Sequence, residues 1–224
     1  MCWMDVDAQS VDSIIDKHLE SWGQDQLAEI RTFQFDITEV KGIFERSKYQ
    51  VIRKRPGKVR INEIWEEKPV VTCFDGNNYW GKVPWHVSDS QYELSSTEKA
   101  KLDNAITTDS PLFLSRKDSL KMAYFGEVLS DEIPYHVIRV SISEDRYLDY
   151  FIDLDTFQIL KTIERDQGNT SYVYAETFFK GYRPQLGMNF PMEYEIRGRE
   201  NTRHILIENV TLGHGIPNSV FQSN

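Results

Sequence analysis

The residues able to do chemistry in this sequence are scattered. Its five histidines (His18, His86, His136, His204 and His214) form no His-x-x-x-His or Glu-adjacent pair at zinc-binding spacing. His18 falls on the apolar side of an N-terminal helical pattern, where a packed imidazole is expected rather than a metal ligand. Asp153-Leu154-Asp155 has the start of a calcium loop without its remaining ligands, and reads as a hairpin entrance. The sequence holds no Gly-x-Ser-x-Gly elbow, Walker loop or dinucleotide fingerprint. Cys2 and Cys73 are too few for a disulfide framework or a Cys-rich zinc site. The expectation is a protein that is not an enzyme and uses no cofactor or metal.

Two patterns point instead to contact with other molecules. Between Arg46 and Arg60 lie seven basic residues and no acidic one, inside a chain of net charge −9. Arg53, Arg55 and Lys58, around Pro56-Gly57, are the candidates for meeting an anionic lipid surface or an acidic partner, where each exposed cation contributes about 1 kcal/mol. The other reading of the run is two solvated strand faces whose charges discourage edge pairing. The acidic total, spread evenly over both halves, argues against nucleic acid as a partner. The second pattern is aromatic. Phe33, Phe35, Trp65, Tyr79, Trp80 and Trp85 lie in or near the early strands with few charges on the same faces, as expected of an apolar ligand cavity or of ordinary core.

The elements that must position these residues are mostly strands. At 224 residues, 40% hydrophobic and 27% charged, the chain can bury a sizeable core. Val11, Ile14, Ile15, His18, Leu19 and Trp22 recur at helical spacing behind a Ser10 N-cap, and Gly23 ends the pattern. Phe33, Phe35 and Ile37 alternate with Gln34, Asp36 and Thr38, the period of a half-buried strand. Further strands are predicted at 43–55, 58–66, 69–74 and 78–83, separated by turns such as Pro56-Gly57 and Asp75-Gly76-Asn77-Asn78. Ser95-Ser96-Thr97-Glu98 is a capping box, predicting a three-turn helix with Ala100, Leu102, Ala105 and Ile106. The stretch 109–114 reads as a loop or short helical turn carrying exposed apolar groups. Strand signals resume at 121–129, 134–143, 147–153, 157–165, 171–180, 190–198 and 203–213. The expectation is one domain over residues 11–224 built on eleven or twelve strands. A sheet that long must curl. More strands than a side-chain-filled barrel needs leave a concavity for helices, a ligand or both. The helix near 95–107 and the apolar loop 111–114 are the candidates for a movable cover over it.

The opening MCWMDVDAQS has neither the basic start nor the apolar core of a signal peptide, yet Asp7-Ala8-Gln9-Ser10 resembles the end of a cleavage region. The expectation is that residues 1–10 are the remnant of an export signal or a disordered start. No stretch approaches the length of a membrane-spanning helix.

Several blocks together carry a family resemblance. They are the N-terminal amphipathic helix followed by Leu27-Ala28-Glu29-Ile30-Arg31-Thr32-Phe33, the block CFDGNNYWGKVPW, the hairpin YFIDLDTFQILKTIER, the Gly181-Tyr182-Arg183-Pro184 return with Phe190-Pro191, and the ending IENVTLGHGIPNSVF. In this order and spacing the chain resembles LolA-like outer-membrane lipoprotein-sorting proteins from about residue 11 to 221. The resemblance implies a mainly β (α+β) fold, a half-open antiparallel β-barrel of about eleven strands with helices covering or plugging its concave face. It also implies a bacterial periplasmic carrier holding the acyl chains of lipoproteins or lipids, with membrane-anchored envelope proteins as further partners. The alternative is a cell-envelope sensing or scaffolding module that binds a protein and carries no lipid. The family's lid-latching arginine has no assigned counterpart here.

Overall fold

The computed structural model describes residues 10–43, 45–85, 91–130, 132–185 and 187–223. Residues 1–9 of the expected export remnant, with Cys2 and His86, lie outside them. The described residues contain α1 (Val11–Trp22), α2 (Gln24–Glu29), β1 (Thr32–Lys41), β2 (Glu45–Lys54), β3 (Lys58–Trp65), β4 (Lys68–Phe74) and β5 (Tyr79–Lys82). Helices α3 (Ser96–Asp103) and α4 (Pro111–Lys117) follow, then β6 (Met122–Ser130), β7 (Ile133–Ser141), β8 (Arg146–Asp153), β9 (Ile159–Asp166) and β10 (Val173–Lys180). The chain closes with β11 (Arg183–Gln185), β12 (Met188–Phe190), β13 (Glu193–Gly198), β14 (Thr202–Leu212) and a 3-10 turn, Asn218–Phe221. The mainly-β expectation holds, with predicted strand bounds within a few residues of those observed. The short β11–β12 hairpin carried no readable pattern.

Two compact units divide these elements, and each is assembled from two separated stretches of chain. The first comprises the N-terminal stretch to Gln26 with Asp109–Thr202; the second comprises Leu27–Thr108 with Arg203–Asn224.

In the first unit the strand order is β13-β10-β9-β8-β7-β6, each neighbouring pair antiparallel, with β6 as the last strand. Helices α1 and α4 cover one face. Ile14, Ile15 and Leu112 pack there against Ile138, Val140, Tyr150, Ile152, Ile159 and Phe179. Ser10 caps α1 as expected, accepting the Ser13 N–H at 3.2 Å, and Gly23 ends it at φ 75°. A side chain at Gly23 would collide with the backbone of Gly187 and Met188, so glycine is required both for the turn and for the close approach. The apolar groups expected to be exposed in 109–114 are not: Ser110 caps α4, Pro111 starts it, and Leu112 is fully buried.

The second unit has the order β5-β4-β3-β2-β1-β14, also antiparallel, with β5 as its last strand and the outer edge of β5 bridged at Gly81 by Tyr92. Among the described strands β5 and β6 each pair with a single neighbouring strand, as an open sheet requires and a closed barrel does not. Three hairpin turns share one device that the Gly and Asn signals did not reveal. Asp75, Asp153 and Asp166 each accept two backbone N–H groups from the two or three residues that follow, at 2.7 to 3.2 Å. Asp153 is therefore a turn former at the hairpin entrance its position suggested.

Candidate functional site

The face of the second unit that lies beneath α3 is the candidate site, and register explains its composition. Leu212, Phe33, Arg53, Val59, Phe74 and Tyr79 form one cross-strand row; Val210, Phe35, Val51, Ile61, Thr72 and Gly81 form the next. Because side chains alternate across a strand, both rows point to one side. Phe33, Phe35, Ile37, Val51, Val59 and Ile61 are buried there. A side chain at Gly81 would strike the Tyr92 ring and Leu94, so the chain leading into α3 crosses β5 only where the side chain is absent.

Helix α3 forms as its capping box dictates. Ser95 and Glu98 exchange both bonds, with the Ser95 N–H donating to Glu98 Oε2 at 2.8 Å. It is shorter than predicted, ending before Ala105 and Ile106, and Leu102 is its one buried side chain. Its other ties are polar. The Tyr79 hydroxyl donates to Asp103 at 2.7 Å, Lys101 pairs with Glu63 at 2.7 Å, and Arg53 donates to the Ala105 carbonyl at 2.5 Å. Between the helix and the strands remains a cavity of about 210 Å³ lined by Arg53, Gly57, Val59, Phe74, Leu102 and Asp103. The Thr72 hydroxyl on the same sheet face is buried with no hydrogen-bond partner among the described residues, a cost of about 1–3 kcal/mol.

The six aromatic candidates do not converge. Phe33 and Phe35 are core of this face, and Tyr79 is at its rim, stacked on Phe74 at 4.5 Å. Trp80 points to the opposite face, where its indole N–H donates to the Phe221 carbonyl at 3.2 Å. Trp65 and Trp85 are 63% and 51% exposed and line neither the 210 Å³ cavity nor the 480 Å³ groove on the opposite face. Alternation within β5 could have separated Tyr79 from Trp80, and the predicted strand ends at 66 and 69 already place Trp65 beside a hairpin turn. The cation trio is also divided. Arg53 turns inward to α3, and Arg55 donates to the Leu27 carbonyl at 2.5 Å while lying 4.9 Å over the Phe33 ring. Lys58 sits beside the Asp75 turn, whose carboxyl is held below its usual range first by the Asn78 backbone N–H, with the Asn77 N–H and the Lys58 charge adding to it. Two of the three cations thus serve the fold.

The remaining reactive groups are occupied. Burial pushes the Cys73 thiol up to about 12, leaving it unreactive. His18 is fully buried between α1, α4 and the β8–β9 turn. A carbonyl can only accept, so His18 Nδ1–H donates to Phe157 O at 2.7 Å, and neutral Nε2 accepts from the Ser110 hydroxyl at 2.7 Å. Burial lowers its pKa to about 4. Among the described residues no cluster of His, Cys, Asp and Glu could hold a metal ion, and no helix is long and apolar enough to cross a membrane.

Comparison with solved structures defines the fold. A DUF1329 family protein from Desulfovibrio piger superposes with a TM-score of 0.65 over 93% of this chain and 97% of its own, at 11% identity. A LolA superfamily protein from Nitrosomonas europaea gives 0.62 over 96% and 98%, at 14% identity. A domain described as outer membrane lipoprotein-sorting, from Vibrio parahaemolyticus, gives 0.61 over 90% and 95%, at 8% identity. The resemblance read in the sequence therefore holds at the level of the fold. The sequence matches no family model and no curated protein.

Proposed function

We propose that this chain is a binding protein of the bacterial periplasm that carries acyl chains of lipoproteins or lipids for delivery to the outer membrane. The observation behind this reading is the apolar sheet face under α3, closed by a helix with one buried side chain and a handful of polar ties. A cavity of about 210 Å³ is smaller than the roughly 300–1,000 Å³ of typical ligand pockets. Uptake of a chain therefore requires α3 to lift. Each methylene then buried contributes about 0.8 kcal/mol without any specific polar contact. Release is feasible because little apolar contact has to be rebuilt when α3 closes again, which keeps open and closed states near in free energy. Phe33 and Phe35 form the floor of the site in this reading, Tyr79 its rim, and the Thr72 hydroxyl a place for a cargo ester or carboxylate. The exposed Trp65 and Trp85, with Lys58, are left for contact with a membrane or an anchored partner. The residues assign no catalytic step. Native mass spectrometry of mildly purified protein tests the reading: co-purifying lipid is the expected result, and a protein that stays empty even after incubation with lipid contradicts it.

A further inference from the structure

The opposite face of the second unit already holds a peptide, namely the chain's own C-terminal segment. Phe221 is fully buried against Ile52, Cys73 and Trp80. The segment's carbonyls are read by side-chain donors projecting from the sheet. Lys54 Nζ donates to Ile216 O at 2.6 Å, Arg60 Nη1 to Val220 O at 2.6 Å, and Trp80 Nε1 to Phe221 O at 3.2 Å. The next cross-strand row on this face is Asn209, Asp36, Gln50, Asn62 and Val71; Asn209 is exposed, the others are half-buried, and Val71 also packs on the tail cluster. Asp36, Gln50, Asn62 and Val71 line a groove of about 480 Å³ together with Lys48, Arg60, Ile64, Pro69 and Glu208.

The chemistry of the groove continues that of the tail site. A chain of hydrogen bonds crosses four strands: Arg60 to Asn62 at 2.7 Å, Asn62 to Gln50 at 3.3 Å, Gln50 to Asp36 at 2.9 Å, and Asn209 to the other Asp36 oxygen at 3.2 Å. The carboxylates are all engaged, Glu208 by Thr38 and Lys48, Glu63 by Lys101. Each amide side chain in the row has donated one N–H and keeps a second. Ile64, 68% exposed, and the partly buried Val71 supply an apolar floor. The groove thus offers N–H donors beside apolar surface, the combination that holds Ile216–Phe221 next door.

We propose that this groove docks a short peptide segment of a partner protein, one that presents backbone carbonyls to the Gln50 and Asn62 amides and a large apolar side chain to Ile64 and Val71. Continuity with the tail site argues for a peptide rather than a lipid, because the neighbouring row reads main-chain carbonyls and one aromatic side chain. The site is separate from the α3 face, so loss of acyl binding leaves it standing.

The test is selection of a random nonapeptide display library on the full chain, followed by affinity measurement with the enriched, dye-labelled peptides. Peptides with one large apolar residue are expected to be enriched, and V71R or N62R is expected to weaken them at least tenfold, with L102R on the α3 face leaving them unchanged. Thermal melting checks that the variants fold; should V71R or N62R fail, the milder Q50A and K48A are expected to weaken binding about threefold. Failure to enrich any peptide, or binding insensitive to groove substitutions but abolished by L102R, overturns the proposal.

Discussion

The two helix-covered faces of this molecule are built on different principles. In the first unit, α1 and α4 contribute Ile14, Ile15 and Leu112 to a shared core, and polar side chains then lock the helices to each other. His18 joins α1 to Ser110 and Phe157; Gln24 accepts from the Ser110 N–H at 2.9 Å and donates to Asp109 at 2.8 Å; Arg116 reaches Asp16 at 2.7 Å. In the second unit, α3 has one buried side chain and ties at its rim. Apolar burial contributes about 25 cal/mol per Å² to the first cover, while rim ion pairs contribute about 0–1 kcal/mol each to the second, which is why the proposed carrier opens at α3 and not at α1 or α4. Of the two movable covers suggested by the sequence, 111–114 contributes the fully buried Leu112 to a core, and 95–107 is the one retained in the proposed function.

Substitutions sharpen that contrast, and H18A is expected to have the largest effect. It strands the Phe157 carbonyl and the Ser110 hydroxyl and leaves a cavity, costing about 3 kcal/mol, read from hydrogen exchange of the α1 amides. A comparable loss on acidification follows from the same side chain. Its folded pKa, about 4, lies below the ordinary 6.5, so the unfolded state takes up the proton first. The stabilisation is complete above pH 6.5 and is lost as pH falls toward 4, about 3 kcal/mol in all at 1.36 kcal/mol per pH unit. Urea unfolding between pH 7 and pH 4 should show this, and an H18N variant should flatten that part of the profile. L102A is expected to cost less, about 2 kcal/mol, because its site already adjoins a void; a cost above that of H18A would break the comparison. T72V should stabilise by about 1 kcal/mol by removing the unpartnered hydroxyl. E63Q, at a partly exposed pair, should change stability by less than about 1 kcal/mol while speeding exchange of the α3 amides.

Much of the fold was legible in the sequence because local signals agreed with it. The α1 caps, the Ser95–Glu98 box and the period-2 strands are short-range patterns, and each formed where its residues indicated. The site was less legible, because it depends on register. Whether Trp80 shares a face with Phe33 is decided by four hairpins in succession, and no single segment records the sum. Arg53 and Arg55 look like surface charge until the α3 segment and Leu27 supply carbonyls for them. His18 was readable as a packed residue, but its partners lie 92 and 139 positions away.

The most direct test of the central claim is a fluorescence titration of the full chain with a dansylated twelve-carbon fatty acid, with α3 either free or bridged to β3. The bridge is a short bis-maleimide across K101C and E63C, residues whose native side chains meet at 2.7 Å. Saturable, blue-shifted binding by the unbridged protein, slowed at least tenfold by the bridge, is the expected result. Absence of binding, or uptake at the same rate with α3 pinned, would contradict a carrier that opens by lifting this helix.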